Sequence, residues 1–251
     1  MRKLIVNADD FGWTKGINKG IIQGFRLGII TSTTALVNMP SWEYGADLAC
    51  KYPRLGIGLH FNLTSGEPIT TPKDIPSLVN GEGKFIGSLD ALRAADPLDI
   101  TRELCNQFQR LTRSGIKATH IDSHHNIHSL DNILPIVLAF AARLGLPVRL
   151  VAQAKARYRS GGTVTTGELI ETFRGRGASG PSLQRLLLNC QSETVELRCH
   201  PGLVDAELEN LSPYTWQRER ELAVVCAFAK EDFPGRHGYT LVSFAALRGQ
   251  N

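Results

Sequence analysis

Short uninterrupted apolar runs alternate along this chain with stretches whose apolar residues recur at helical spacing, and nothing else in the sequence constrains the fold as strongly. Leu4-Ile5-Val6 leads into Asn7-Ala8-Asp9-Asp10, which reads as a buried strand followed by a polar turn. Ile17, Ile21, Ile22 and Phe25 then share one helical face, with Gly28 as the stop. Further strands are expected at 35–37, 55–61, 119–122, 148–151, 195–200 and 239–242. Helices are expected at 44–50, 99–113, 133–144 and 215–230. Strands and helices in alternation make a parallel sheet with crossover helices. Continuous rather than alternating apolar runs fit strands covered on both faces. At 251 residues this predicts an α/β fold: an irregular (β/α) barrel of about seven parallel strands, with a doubly wound open sheet as the alternative. No Gly-rich linker divides the chain, so 1–251 reads as a single domain.

Composition removes several classes. With 42% hydrophobic and 21% charged residues, disorder, collagen and coiled coil are set aside. No apolar run approaches the roughly 20 residues of a membrane span. The basic tip Arg2-Lys3 meets Asn7-Ala8-Asp9-Asp10 too soon for a signal peptide, so a cytoplasmic protein is expected. Five scattered cysteines without a CxxC pair point to reduced thiols. The net charge of +4 is uneven, because eight basic and only two acidic residues lie between Arg143 and Arg185. No nucleic-acid reader motif accompanies them, so the segment reads as a solvated, loop-rich region, with anion binding as the lesser alternative.

Histidine is more telling. Of seven, His120, His124, His125 and His128 fall within nine residues. In parallel α/β folds, ligands bind at the carboxyl edge of the strands. Asp9-Asp10, His60, the 122–128 run and His200 each follow a predicted strand. Alone, Asp9-Asp10 suggests a turn with a helix cap and His60 a hydrogen-bonded core histidine. Together they supply a site. A mononuclear metal needs about three protein ligands and an open position for water. Two imidazoles and a carboxylate meet that need, and a second carboxylate and another histidine remain as base and acid.

The segments Val6-Asn7-Ala8-Asp9-Asp10-Phe11-Gly12, Gly58-Leu59-His60-Phe61-Asn62-Leu63-Thr64, Thr119-His120-Ile121-Asp122-Ser123-His124-His125 and Arg198-Cys199-His200-Pro201-Gly202 resemble the YdjC-like carbohydrate deacetylases, in particular their chitooligosaccharide deacetylases. The likeness spans about 3–151 and resumes near 195. It implies a barrel related to polysaccharide deacetylases and removal of acetyl from an N-acetylated amino sugar or chitooligosaccharide such as diacetylchitobiose. By the family motif, Asp10, His60 and His124 hold one divalent metal ion, Asp9 is the base, and His200, as imidazolium, is the acid facing the leaving amine. The family is associated with Mg²⁺, whereas imidazole and carboxylate donors suit Zn²⁺ or a similar ion better. Related proteins imply a homodimer.

Trp13 and Phe61 are candidates to stack on a pyranose, with core or rim packing the equal alternative, and Arg149, which resembles a family arginine, to touch substrate or to support the residues that do. Asn126 stands where family members often carry the middle histidine of Asp-Ser-His-x-His-x-His, which implies a difference in specificity. His120, His125, His128 and His237 are left without roles. Two other readings compete. A phosphoester hydrolase would use the basic segment, but two-metal sites of that kind carry more carboxylates. A non-catalytic sugar-binding protein needs neither Asp9 nor His200.

Overall fold

The computed structural model describes residues 1–248. Its strands are β1 (Arg2–Phe11), β2 (Ser32–Ala35), β3 (Gly56–Phe61), β4 (Ile121–Ser123), β5 (Glu168–Ile170), β6 (Thr194–Cys199) and β7 (Tyr239–Leu241). Between β1 and β4 lie α1 (Lys15–Leu27), α2 (Trp42–Ala49), α3 (Leu89–Arg93) and α4 (Pro97–Arg113). Then come α5 (Leu134–Leu144), α6 (Lys155–Ser160) and α7 (Gly180–Asn189). The last helices are α8 (Ala206–Leu211), α9 (Trp216–Lys230) and α10 (Phe233–Arg236). No helix among the described residues is long and apolar enough to cross a membrane.

All pairings between the named strands are parallel, in the order β4-β3-β2-β1-β6-β5, with β7 on β1. β6 takes one edge of β1, while β7 and β2 share the other, at Arg2–Leu4 and Asn7–Phe11 respectively. From β1 to β4 the sheet grows in one direction, the winding of a barrel rather than of a doubly wound sheet. Its seam lies between β4 and β5. There Ile121 pairs with Val148 through one isolated bridge, and the Val148 N–H donates to the Val164 carbonyl at 3.0 Å. The strand expected at 148–151 is reduced to that bridge, and Glu168–Ile170 supplies the seventh strand in its place.

The helices bury the faces their spacing predicts. α1 is capped by Thr14, whose hydroxyl accepts from the Ile17 N–H, and it packs Ile17, Ile21 and Ile22 inward. Gly20, on the same helix, allows a close approach that a side chain would forbid: a Cβ there would lie 2.5 Å from the Gly202 Cα. The loop after β6 thus lies directly on α1, which fixes where His200 emerges.

Candidate active site

β1 does not end before its aspartates, as the sequence suggested, but runs through them. Ala8 pairs with Thr33 and Phe11 with Ala35, so Asp9 and Asp10 together oppose Thr34 alone. This is a β-bulge, and it breaks the alternation that would send neighbouring side chains to opposite faces. Asp10 sits at φ +76°, a left-handed conformation costly for a non-glycine residue. The result is two adjacent carboxylates lining one cavity.

That cavity, of about 440 Å³, is bounded by Asp9, Asp10, Trp13, His60, His124 and His200, with Arg174, Arg198, Tyr214 and Arg218 among the other walls. Four strand ends deliver the residues predicted for it, as barrel topology requires. His60 ends β3 and is 2% exposed. Its Nδ1–H donates to Asp122 Oδ1 at 2.6 Å, which leaves Nε2 facing Asp10 Oδ1 at 3.5 Å. His124 opens the 3-10 turn after β4. Its Nδ1 lies 2.6 Å from Thr64 Oγ1, whose own hydroxyl donates to Asn62 Oδ1 at 3.2 Å. The threonine oxygen therefore accepts from Nδ1–H, and the lone pair of His124 is on Nε2. Both rings are oriented through Nδ1, which leaves Nε2 as the nitrogen for a metal, the arrangement that fixes metal-binding histidines.

Arg149 is fully buried beneath this floor. Its guanidinium donates to both oxygens of Asp9 at 2.7 Å, lies 2.7 Å from Asp122 Oδ2, and donates to Glu196 Oε1 at 2.7 Å. Burial alone would raise the Asp9 carboxyl, but the charge and hydrogen bonds of Arg149 hold it below the usual carboxylate range. Asp10 is lowered likewise: burial opposes, and Arg218, 2.7 Å from Oδ2, prevails. Burial would neutralise His60, yet Asp122 and Asp10 raise it to about 10. Asp9, His60 and Asp122 have ligand atoms within 4.8 Å of one another, so this buried group can hold a metal ion.

His200 follows β6, with Nε2 3.8 Å from Asp9 Oδ2. Its backbone N–H donates to Glu221 Oε2 at 2.5 Å, and the Tyr214 hydroxyl donates to Oε1 of the same residue. Burial lowers the imidazole to about 4 against the pull of Asp9 and Asp10, so in the metal-free protein it is neutral and must gain its proton before it can serve as the expected acid.

Three expected substrate contacts have other surroundings. Phe61 is fully buried and does not line the cavity, because its position on β3 points it into the core. Trp13 lines the cavity at 8% exposure, but Arg218 covers one face at 5.5 Å and His124 meets its ring edge-on. Arg149 is the carboxylate hub beneath the floor, in the supporting place left open beside substrate contact, and belongs neither to a solvated loop nor to the cavity wall. Arg174 from the same basic segment does reach the cavity.

The unassigned histidines divide. His120 is buried, stacked on Phe244 at 3.9 Å, with Nε2 3.0 Å from Asn7 Oδ1. Asn7 in turn donates to Asp9 Oδ1 at 2.9 Å, so His120 steadies Asp9 from behind. His128 pairs with Ser123 Oγ at 2.5 Å and is buried. His125 stacks on His124 at 3.8 Å. Asn126 accepts from Arg198 Nη1 at 3.0 Å and sits with His125 in left-handed backbone, a conformation asparagine tolerates well. His237 lies against Phe233 at 3.9 Å, far along the chain from the motifs.

Asp122, Glu196, Arg218 and Glu221 received no role from sequence. The signal for the last two was available: Arg218 and Glu221 share the inward side of α9 with Leu222, Val225 and Phe228. Charged residues within a buried stripe need partners inside the protein.

Comparison with known proteins fits this arrangement. The family described as YdjC-like protein matches residues 3–231. The chain belongs to the YdjC-like family. This YdjC-like protein is 42% identical over 225 residues to a carbohydrate deacetylase of Geobacillus stearothermophilus, covering 89% of each chain. It is 39% identical to a chitooligosaccharide deacetylase of Yersinia pestis (strain Pestoides F) over 252 aligned positions, covering 96% of this chain and 97% of the relative. A crystal structure from Enterococcus faecalis V583, solved under the name of a cellobiose-phosphate cleavage protein, superposes with a TM-score of 0.92 at 31% identity, covering 98% of this chain and 99% of that one. A peptidoglycan deacetylase of Bacillus subtilis shares the fold, with a TM-score of 0.52 at 10% identity, covering 98% and 89%. The family and the irregular barrel expected from the motifs are the ones found.

Proposed function

We propose that this protein is a metal-dependent carbohydrate N-deacetylase acting on N-acetylated amino sugars, chitooligosaccharides above all. One observation carries the reading: two histidines, each oriented through Nδ1, and the Asp10 carboxylate border the same cavity as the Asp9–His200 pair. The deacetylases among its relatives support the substrate class. The buried core cluster draws residues from Leu4 to Tyr239, which supports one catalytic unit along the chain.

Asp10, His60 and His124 are the ligands in this reading. Asp9 and Asp122 also approach His60, but both oxygens of Asp9 and one of Asp122 are engaged by Arg149, and the other oxygen of Asp122 orients the His60 ring. A cation among those two aspartates would face a guanidinium. When bound, a divalent ion lowers the pKa of coordinated water and polarises the acetyl carbonyl, and two imidazoles with a carboxylate favour Zn²⁺ or a similar ion.

The protein's own groups move the protons. Asp9, anionic and held by Arg149, accepts the proton of the attacking water. Oδ2 then faces His200 Nε2 at 3.8 Å, a short path for that proton to the histidine. His200 delivers it to the amine as the C–N bond breaks. The amine is the strongest base in the sequence of transfers, so the relay ends downhill although its carriers are weakly basic.

The deciding assay is release of acetate from N,N′-diacetylchitobiose by metal-stripped protein with and without added Zn²⁺ or Mg²⁺. Metal-dependent acetate release is the expected result. Phosphate release from a phosphorylated sugar without acetate from the disaccharide would overturn it.

The ligand set has its own test. His124→Ala should lower bound metal from one ion per chain to a small fraction by elemental analysis, whereas full occupancy would remove His124 from the set. A proton balance checks His60. Its pKa, raised from 6.5 to about 10, contributes stability to the metal-free protein that is fully present below pH 6.5 and is lost as pH rises through about 10. Metal must displace the Nε2 proton, so calorimetric titrations at pH 8 in buffers of different ionisation enthalpy should show about one proton released per ion. Zero release would mean that His60 is neutral or not a ligand.

A further inference from the structure

We propose that Arg218 is a positioning residue that keeps Asp10 a one-oxygen ligand and holds the metal affinity of the site down. The proposal rests on the reading of Asp10 as a metal ligand.

Arg218 reaches the site from α9, outside every motif that follows a strand. Its side chain is 3% exposed. Nη2 donates to Asp10 Oδ2 at 2.7 Å, and Nε donates to the Tyr214 carbonyl at 3.1 Å. The rings of Trp13 and Tyr214 each lie 5.5 Å from its central carbon. Its own carbonyl accepts from the Gly202 N–H at 3.3 Å, which ties the loop carrying His200 to the same residue. Two hydrogen bonds and two aromatic faces hold the guanidinium beside Asp10, while its Nη1 has no hydrogen-bond partner among the described residues.

Two consequences follow from elementary electrostatics. Oδ2 of Asp10 is occupied, so only Oδ1, the oxygen nearer His60 Nε2, is free to coordinate. Two-oxygen coordination by Asp10 would fill a position that an attacking water needs. A fixed positive charge beside Asp10 also repels a divalent cation and withdraws electron density from the carboxylate, so an ion there binds less tightly and remains a stronger Lewis acid. The usual outer partner of a metal ligand strengthens binding, and its loss weakens affinity roughly 10–100-fold. Arg218 is a cation, so here the sign reverses.

The test is calorimetric titration of Zn²⁺ into metal-stripped wild type, Arg218→Met, Arg218→Lys and Asp10→Asn. Arg218→Met removes the charge while keeping a long apolar stem between the two rings. It should bind Zn²⁺ roughly tenfold tighter than wild type, the order of a unit charge repelling a divalent ion across a few ångströms of screened medium, with kcat lowered and KM little changed. Arg218→Lys, which retains the charge, should stay near wild-type affinity. Melting curves give a second readout: metal-free Arg218→Met melts lower than metal-free wild type, but added Zn²⁺ raises its Tm by more. Affinity in Arg218→Met equal to or weaker than wild type would overturn the proposal and leave Arg218 a packing clamp. Should Arg218→Met not fold, Arg218→Gln, neutral but still a donor toward Asp10, must show the same tightening. Asp10→Asn separates the two levels: wild-type binding in that variant would sink the ligand reading itself, whereas loss of binding there with no tightening at Arg218 sinks only the present inference.

Discussion

Asp9→Asn should leave the protein folded and still binding one metal ion while lowering kcat by roughly 10²–10⁴-fold, the usual worth of a positioned general base. The expectation follows from what surrounds the carboxylate. Oδ1 and Oδ2 each accept from Arg149 at 2.7 Å, and Oδ1 also accepts from Asn7 Nδ2 at 2.9 Å. Each of these hydrogen-bond partners is a donor, so they favour the anion. An asparagine keeps the shape, but it cannot take a proton at this pH, and its amide would point a donor at Arg149 or Asn7. Some loss of stability is therefore expected, and melting curves and elemental analysis belong beside the kinetics. KM should change little, because the acetyl carbonyl is not bound by Asp9. Loss of metal from Asp9→Asn would show that Asp9 coordinates, in the grouping with His60 and Asp122. Retention of a tenth or more of wild-type kcat would move the base elsewhere.

The sequence was most legible where chemistry and topology coincide. Four strand ends bearing Asp or His could be placed on one rim from periodicity alone, and the cavity unites them. It was less legible where side-chain direction depends on backbone irregularity. Nothing in Asn7-Ala8-Asp9-Asp10 announces a bulge, so the pair read as a turn, yet the bulge is what turns both carboxylates into the site. The 148–151 run has strand composition but forms one bridge, because it sits at the barrel seam where pairing runs out on both sides. α9 hid its contribution differently. Its burial of Arg218 and Glu221 blurs the amphipathic pattern, and their partners Asp10 and the His200 backbone lie far away in sequence. Phe61 lies off the cavity for the plainest reason: beside His60 on a strand, it must face the other way.

Arg149→Met should be the most destabilising single change in the molecule. The guanidinium is fully buried and contacts three carboxylates, Asp9, Asp122 and Glu196, each 4% exposed or less. Removing one partner of a buried ion pair typically costs about 3–5 kcal/mol, and here three buried carboxyl groups lose the same partner. Whole-domain stability is commonly about 5–15 kcal/mol, so the variant should be largely unfolded near neutral pH. The pH dependence identifies the cause. Burial already raises Glu196 to about 7 with Arg149 in place, and its Oε2 has no hydrogen-bond partner among the described residues. Without the guanidinium, burial would push the folded-state pKa of Asp9 above its unfolded value and that of Glu196 further up. Stability of the variant would then be present at low pH and lost as pH rises through those folded values. Melting curves of wild type and Arg149→Met at pH 5.5 and pH 8 should accordingly show the smaller deficit at pH 5.5. A cavity left by a missing side chain would instead give a deficit independent of pH. Arg149→Lys separates charge from geometry. It keeps one positive charge but cannot bridge Asp9, Asp122 and Glu196 in a single plane, so it should fall between the two. A wild-type melting point for Arg149→Met at pH 8 would mean that Asp9 does not depend on the guanidinium for its charge, and the anionic Asp9 on which the proposed chemistry rests would have to be abandoned.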